Sequence, residues 1–176
     1  MLTQTIRRSA PHRLAPSRRA ALLAERLEQG ADALIPLAET TTDAEWRTPI
    51  SRTDSRTVGT VVHHVASQYA LEIDLALKLA FGTPLPPVTM QDVHAVNAEH
   101  AASHPDPTKA EAIELLRRNS RTAAEAIRAL RDEELDRAQP AKLYADAPVT
   151  CQFMLEDHAV RHSYHHLARI RAALKR

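Results

Sequence analysis

The sequence predicts an all-α fold, a four-helix bundle with additional short helices, on three observations. Glycine is scarce, at 3 of 176 residues, while the strong helix formers Ala, Leu, Arg and Glu are abundant. Four long stretches carry apolar residues at helical spacing. The 11 prolines gather where that periodicity stops, which marks connections rather than helix interiors.

The chain opens with Arg7, Arg8 and Arg13 and no acidic residue before the first periodic stretch. This opening lacks the continuous apolar region of a secretory signal, so a flexible basic arm is expected over residues 1–17 and a single domain over 18–176. The first long helix is expected from about Ser17 to Glu39. Leu23, Leu27, Leu34 and Ala38 form its buried stripe, and Leu22 and Leu37 widen it. Pro36 should bend or shorten this helix because it removes an interior hydrogen bond. Asp43–Trp46 reads as a short helical turn, with Trp46, the only tryptophan, plugging one end of the core and its indole nitrogen near a partner.

Pro49 to Arg56 reads as a loop, and Thr57 is a good N-cap for the second long helix. Val58, Val61, Val65 and Tyr69 make its inward stripe. His64 falls on that face, whereas His63 is expected about 100° away from it. Phe81 to Pro87 cannot continue a helix and reads as a crossover or a cavity rim. A short helix is expected from Thr89 to Ala102. Thr108 and Glu111 then have the spacing of a capping box that opens a third long helix, ending near Arg131, with Ile113, Leu116, Ile127 and Leu130 inward. Pro140 and Pro148 bracket a second irregular stretch. Thr150 caps the last helix, which runs to Leu174.

Charge and composition exclude several function classes. With 23 Lys+Arg against 22 Asp+Glu the net charge is +1, which gives no electrostatic footprint for nucleic acid. No apolar run is long enough for a membrane span. The single Cys151 rules out an intrachain disulfide and is compatible with a reducing cytoplasm, the expected location. Its place near a helix start would favour a thiolate, but no base is evident nearby and a buried, inert thiol is expected.

The chemistry concentrates in the last helix. Met154, His158, His162, His166, Ile170 and Leu174 follow one another at i,i+4, so the histidines face inward among apolar neighbours. Buried imidazoles need partners for their nitrogens, and a divalent metal is the simplest. His162 and His166 lie one turn apart and can aim at one point, although no glutamate of a zincin helix stands beside them. The third ligand is either His158 or His64. Ligands at i, i+4 and i+8 would span about 12 Å of helix, too far for one ion, which favours His64 and leaves His158 to line the cavity. Three neutral imidazoles suit Zn²⁺, Ni²⁺, Co²⁺ or Fe²⁺ and leave a position for water or substrate. Asn97, Glu99, Tyr164 and His158 are candidates to position substrate or move a proton. Arg52, Arg56, Arg117, Arg118 and Arg121 are read as a solvated surface unless the fold brings one to the cavity rim.

The pieces Trp46 through TVGTVVHHVASQ, DVHAVNAEHAA and RHSYHHLARI resemble the DinB-like superfamily of metal-binding bundles. The likeness extends over nearly the whole chain after Arg18. It implies an up-down-down-up bundle, a homodimer, and zinc or nickel held by His64, His162 and His166. Superfamily members include metal-dependent hydrolases, bacillithiol and mycothiol S-transferases, and mycothiol-dependent maleylpyruvate isomerases. The segment Asn97 to Ala102 looks like the thiol-transferase variant. The resemblance therefore implies transfer of a low-molecular-weight thiol such as mycothiol to a small electrophilic substrate. Hydrolysis by metal-activated water and non-catalytic metal or ligand binding are the alternatives.

Overall fold

The computed structural model describes residues 17–176. All but Ser17 of the expected basic arm lies outside the described residues. Ser17 itself caps α1, Arg18–Thr40, by accepting a hydrogen bond from the Ala20 amide. The stripe of Leu23, Leu27, Leu34 and Ala38 is buried, and the helix continues through Pro36 to its predicted end. A Thr42 capping box starts the short α2, Asp43–Trp46, and the Trp46 indole N–H donates to the Pro107 carbonyl at 2.8 Å.

Thr57 caps α3, Val58–Phe81, whose first part, Val58 to Ala66, is buried on every side. Gly82 stops it in the left-handed conformation at φ 72°, a geometry glycine adopts at no steric cost. The crossover then carries α4, Met90–Ser103, capped by Thr89. Next comes α5, Lys109–Arg128, whose strong amphipathicity buries Ile113, Leu116 and Ile127. This helix ends a turn earlier than the sequence suggests, and a separate short α6, Asp132–Leu135, follows.

Two corrections concern the last third of the chain. The stretch between Pro140 and Pro148 is not irregular: β1, Ala138–Ala141, pairs antiparallel with β2, Ala147–Thr150, and Pro140 faces Pro148. Each strand has only four residues, too few for an alternating pattern to declare itself. The last helix is also not one uniform α-helix. It begins as α7, Cys151–Met154, widens into a π-helical stretch over Leu155–Val160, and resumes as α8, Arg161–Leu174.

The four long helices form the bundle with up-down-down-up order. Both α1 and α3 pack against α5 and against α8, while α1 and α3 themselves sit across a diagonal. The core between them is dominated by Leu, Ile, Val and Ala, with Tyr69 on α3 bonded to Ser163 on α8 at its centre. Among the described residues no helix is long and apolar enough to cross a membrane.

Candidate metal centre

α3 and α8 face each other where the apolar core gives way to histidines. His64 Nε2 and His162 Nε2 lie 3.2 Å apart, and one ligand nitrogen from each of His64, His162 and His166 falls within 4.8 Å of the others. All three side chains are mostly or wholly withdrawn from solvent. Burial pushes the His64 imidazole down to about 2, assisted by the neighbouring His162. His166 is driven well below its ordinary value for the same reasons, burial first and then His162 and His64. Both rings are therefore neutral at pH 7, the state in which an imidazole offers a lone pair.

The fit to a metal follows from hydrogen-bond accounting. The His162 Nδ1–H donates to Glu72 Oε1, which fixes its tautomer and turns the Nε2 lone pair toward His64. If His64 carries its proton on Nδ1, two lone pairs face each other; if on Nε2, its buried Nδ1 lone pair has no partner. Nδ1 of His64 and of His166 are indeed buried without a hydrogen-bond partner. A cation between the facing Nε2 atoms would relieve the first of these conflicts, the opposed lone pairs. The 3.2 Å separation also matches the spacing of about 3.3 Å between two nitrogens bound tetrahedrally to Zn²⁺. A carboxylate behind a ligating histidine is the usual device for orienting the ring and raising its basicity, and Glu72 occupies that place.

The histidines open onto a cavity of about 340 Å³, also lined by Gln68, Met90, Val93, Asn97, Asp157, His158, Arg161 and His165. Gln68, Val93 and Asn97 are shared with an adjoining apolar chamber of about 230 Å³, walled by Leu71, Leu75, Leu85, Val96 and Met154. His158 lines the cavity but is held aside by Tyr144. The Tyr144 hydroxyl donates to Asp157 Oδ2 at 2.5 Å and sits 2.9 Å from His158 Nε2. With its one proton directed to Asp157, the hydroxyl accepts from His158 Nε2–H, and Nδ1 is left as the basic nitrogen. Burial lowers the His158 pKa, so this ring too is neutral at pH 7.

The other sequence candidates separate. Asn97 reaches the cavity wall. Glu99 is exposed on α4 and lines neither chamber. Tyr164 is 40 % exposed and turns toward α1, donating to the Arg26 carbonyl at 3.0 Å. None of Arg52, Arg56, Arg117, Arg118 and Arg121 lines the cavity; Arg161 does. Arg56 is not a free surface charge either, since with Arg169 it clasps Asp54, at 2.7 and 2.8 Å. Cys151 is buried, and burial pushes its thiol up to about 12, as expected of an inert thiol.

Sequence reasoning missed Glu72, Tyr144 and Arg161. A signal existed for the first: His64, Gln68 and Glu72 repeat at four residues along α3, the same spacing that singled out the histidines of the last helix. No periodic signal marks Tyr144, which lies in a 3₁₀ turn, Lys142–Tyr144, between the two strands.

A largely buried cluster of three histidines, backed by a carboxylate and open to a cavity in a four-helix bundle, is an arrangement that could hold a divalent metal. The chain belongs to the DinB superfamily, whose family pattern matches residues 26–170. Among solved structures it is similar to YfiT from Bacillus subtilis, with a TM-score of 0.72 at 19% identity over 97% of this chain and 94% of that one. That protein is described as a probable metal-dependent hydrolase with an unusual four-helix bundle topology. No curated protein matches the chain.

Proposed function

We propose that the protein is a metal-dependent enzyme that activates a small nucleophile, and that His64, His162 and His166 are its metal ligands. The observation that carries this reading is the convergence of one ring nitrogen from each of three largely buried histidines within 4.8 Å, with Glu72 bonded behind His162. Zn²⁺ or Ni²⁺ suits three nitrogen donors, and the cavity leaves a position for a further ligand. Bound there, the ion supplies Lewis acidity that favours deprotonation of a coordinated thiol or water.

The nucleophile we assign is the sulfur of a low-molecular-weight thiol such as mycothiol, transferred to a small electrophilic substrate. Glu72 holds His162 in its ligating tautomer. His158 Nδ1 accepts the proton released from the thiol, and the hydroxyl of Tyr144 keeps that ring in place. Asn97 stands between the two chambers, where an amide can orient a polar group while an apolar portion of the substrate enters the space beside Leu71 and Leu75. Arg161 offers positive charge at the cavity wall for an anionic group of the thiol or substrate.

A second reading, hydrolysis with water as the nucleophile, is favoured by the description of YfiT. The two are separated by loading the protein with Co²⁺ and adding mycothiol, bacillithiol or glutathione without oxygen. A thiol-dependent change in the cobalt absorption supports thiol transfer. Bound cobalt that ignores all three thiols supports hydrolysis, and no binding of any divalent metal removes both readings.

A further inference from the structure

α4 differs from the other long helices in how it is held. None of its residues from Met90 to Ser103 is buried, and its apolar side chains do not gather on one face. Its C-terminal end is nevertheless fixed to α3. Thr60 Oγ1 lies 3.2 Å from the His104 carbonyl and 3.1 Å from that of Pro105, and beside these contacts His63, His100 and His104 come together.

This second cluster is distinct from the first. His63 Nδ1 and His100 Nε2 are 2.9 Å apart, and one ligand nitrogen from each of the three rings lies within 4.8 Å of the others. His100 and His104 are one helical turn apart, the spacing of His162 and His166. The His104 Nδ1–H donates to the His100 carbonyl at 3.2 Å, which leaves Nε2 as a free lone pair. His63 is 5 % exposed, and His100 Nδ1 is buried with no hydrogen-bond partner. Among the described residues no carboxylate or hydroxyl bonds to any of the three rings.

We propose that His63, His100 and His104 form a second divalent transition-metal site that clamps α4 onto α3. Three nitrogen donors without an oxygen ligand select Zn²⁺, Ni²⁺, Co²⁺ or Cu²⁺ over Mg²⁺ and Ca²⁺. The rings of His63 and His104 lie nearly face to face, with centroids 4.2 Å and planes 24° apart. Stacked rings do not readily aim in-plane lone pairs at one point, so uptake of an ion would turn the half-buried His104 about its Cβ–Cγ bond, a soft torsion. The two sites adjoin, since the His64 and His100 rings meet edge-on with centroids 5.2 Å apart. α4 also supplies Met90, Val93 and Asn97 to the wall of the first cavity, so an ion in the clamp fixes that wall.

Equilibrium dialysis against buffered micromolar Zn²⁺, read by elemental analysis, tests the site with three proteins: wild type, His162→Ala/His166→Ala and His100→Ala/His104→Ala. The expected result is about two equivalents for wild type and about one for each double variant. Wild type with one equivalent that vanishes in His162→Ala/His166→Ala overturns the second site, as does an unchanged stoichiometry in His100→Ala/His104→Ala. One equivalent that vanishes only in His100→Ala/His104→Ala instead supports the second site and overturns the first. Should His162→Ala/His166→Ala misfold by circular dichroism, wild type against the exposed-helix variant decides: loss of one of two equivalents supports the clamp, and no loss overturns it.

Discussion

His162 Nδ1 donates to Glu72 Oε1, joining α8 to α3 behind the histidine centre. The other oxygen of Glu72 is buried with no partner, so His162 is the carboxylate's one side-chain anchor among the described residues. Glu72→Gln keeps the shape and an acceptor but removes the charge that would make His162, as a proposed ligand, a better donor to a metal. Metal affinity should fall roughly 10- to 100-fold with the fold intact. Competition with a chromophoric chelator measures it. Unchanged affinity would mean that Glu72 serves packing only.

His64 and His158 part company in the same assay. His64→Ala removes a proposed ligand and should weaken binding by more than about 100-fold, beyond what an outer contact costs. His158→Ala should leave affinity within a few-fold, because its Nε2 is engaged by Tyr144. If His158 is the proton acceptor, its loss should instead lower kcat and flatten the acid limb of the pH profile. The reverse pattern of metal retention would exchange the two assignments.

The sequence discloses the histidine centre because its parts obey helical spacing within single elements: His162 and His166 one turn apart, and His64 on the valine stripe of α3. What it hides depends on neighbours distant in sequence or on departures from ideal geometry. His158 continues the i,i+4 line on paper, but it lies in the π-helical stretch Leu155–Val160, where each turn is wider and the line drifts. His63 falls off the core face of α3 as expected, yet it is buried because His100 and His104 cover it. The weak amphipathicity of α4 gives no hint of that docking. The hairpin of β1 and β2, with a proline in each strand, has neither the length nor the alternation by which strands announce themselves.

Acid should destabilise the metal-free protein. His64 and His166 are neutral in the fold with pKa values far below the ordinary 6.5, whereas the unfolded chain protonates them near that value. Below pH 6.5 the unfolded state binds more protons, so stability is fully present above that pH and is lost as pH falls toward the folded values. Each imidazole contributes up to roughly 1.4 kcal/mol per pH unit, and the pair on the order of 3–5 kcal/mol by pH 4.5. Urea titrations of the chelator-treated protein between pH 7.5 and 4.5 measure the slope. A flat profile would show that these rings are solvated.

Gly59 offers a test of the fold away from the metal. A Cβ at this position would lie 2.3 Å from Trp46 Nε1 and 2.5 Å from Cε2, closer than any real contact. The indole cannot retreat without cost, because its N–H is bonded to the Pro107 carbonyl and its ring closes one end of the core. Gly59→Ala gains helix propensity of about 1 kcal/mol but must displace the ring, and overpacking typically costs about 1–3 kcal/mol before the lost hydrogen bond is added. The net change should be a destabilisation of about 1–3 kcal/mol in denaturant titration. Because Trp46 is the only tryptophan, its emission should shift to longer wavelength in the same sample. Loss of stability without that shift would place the strain in α3 rather than at the indole.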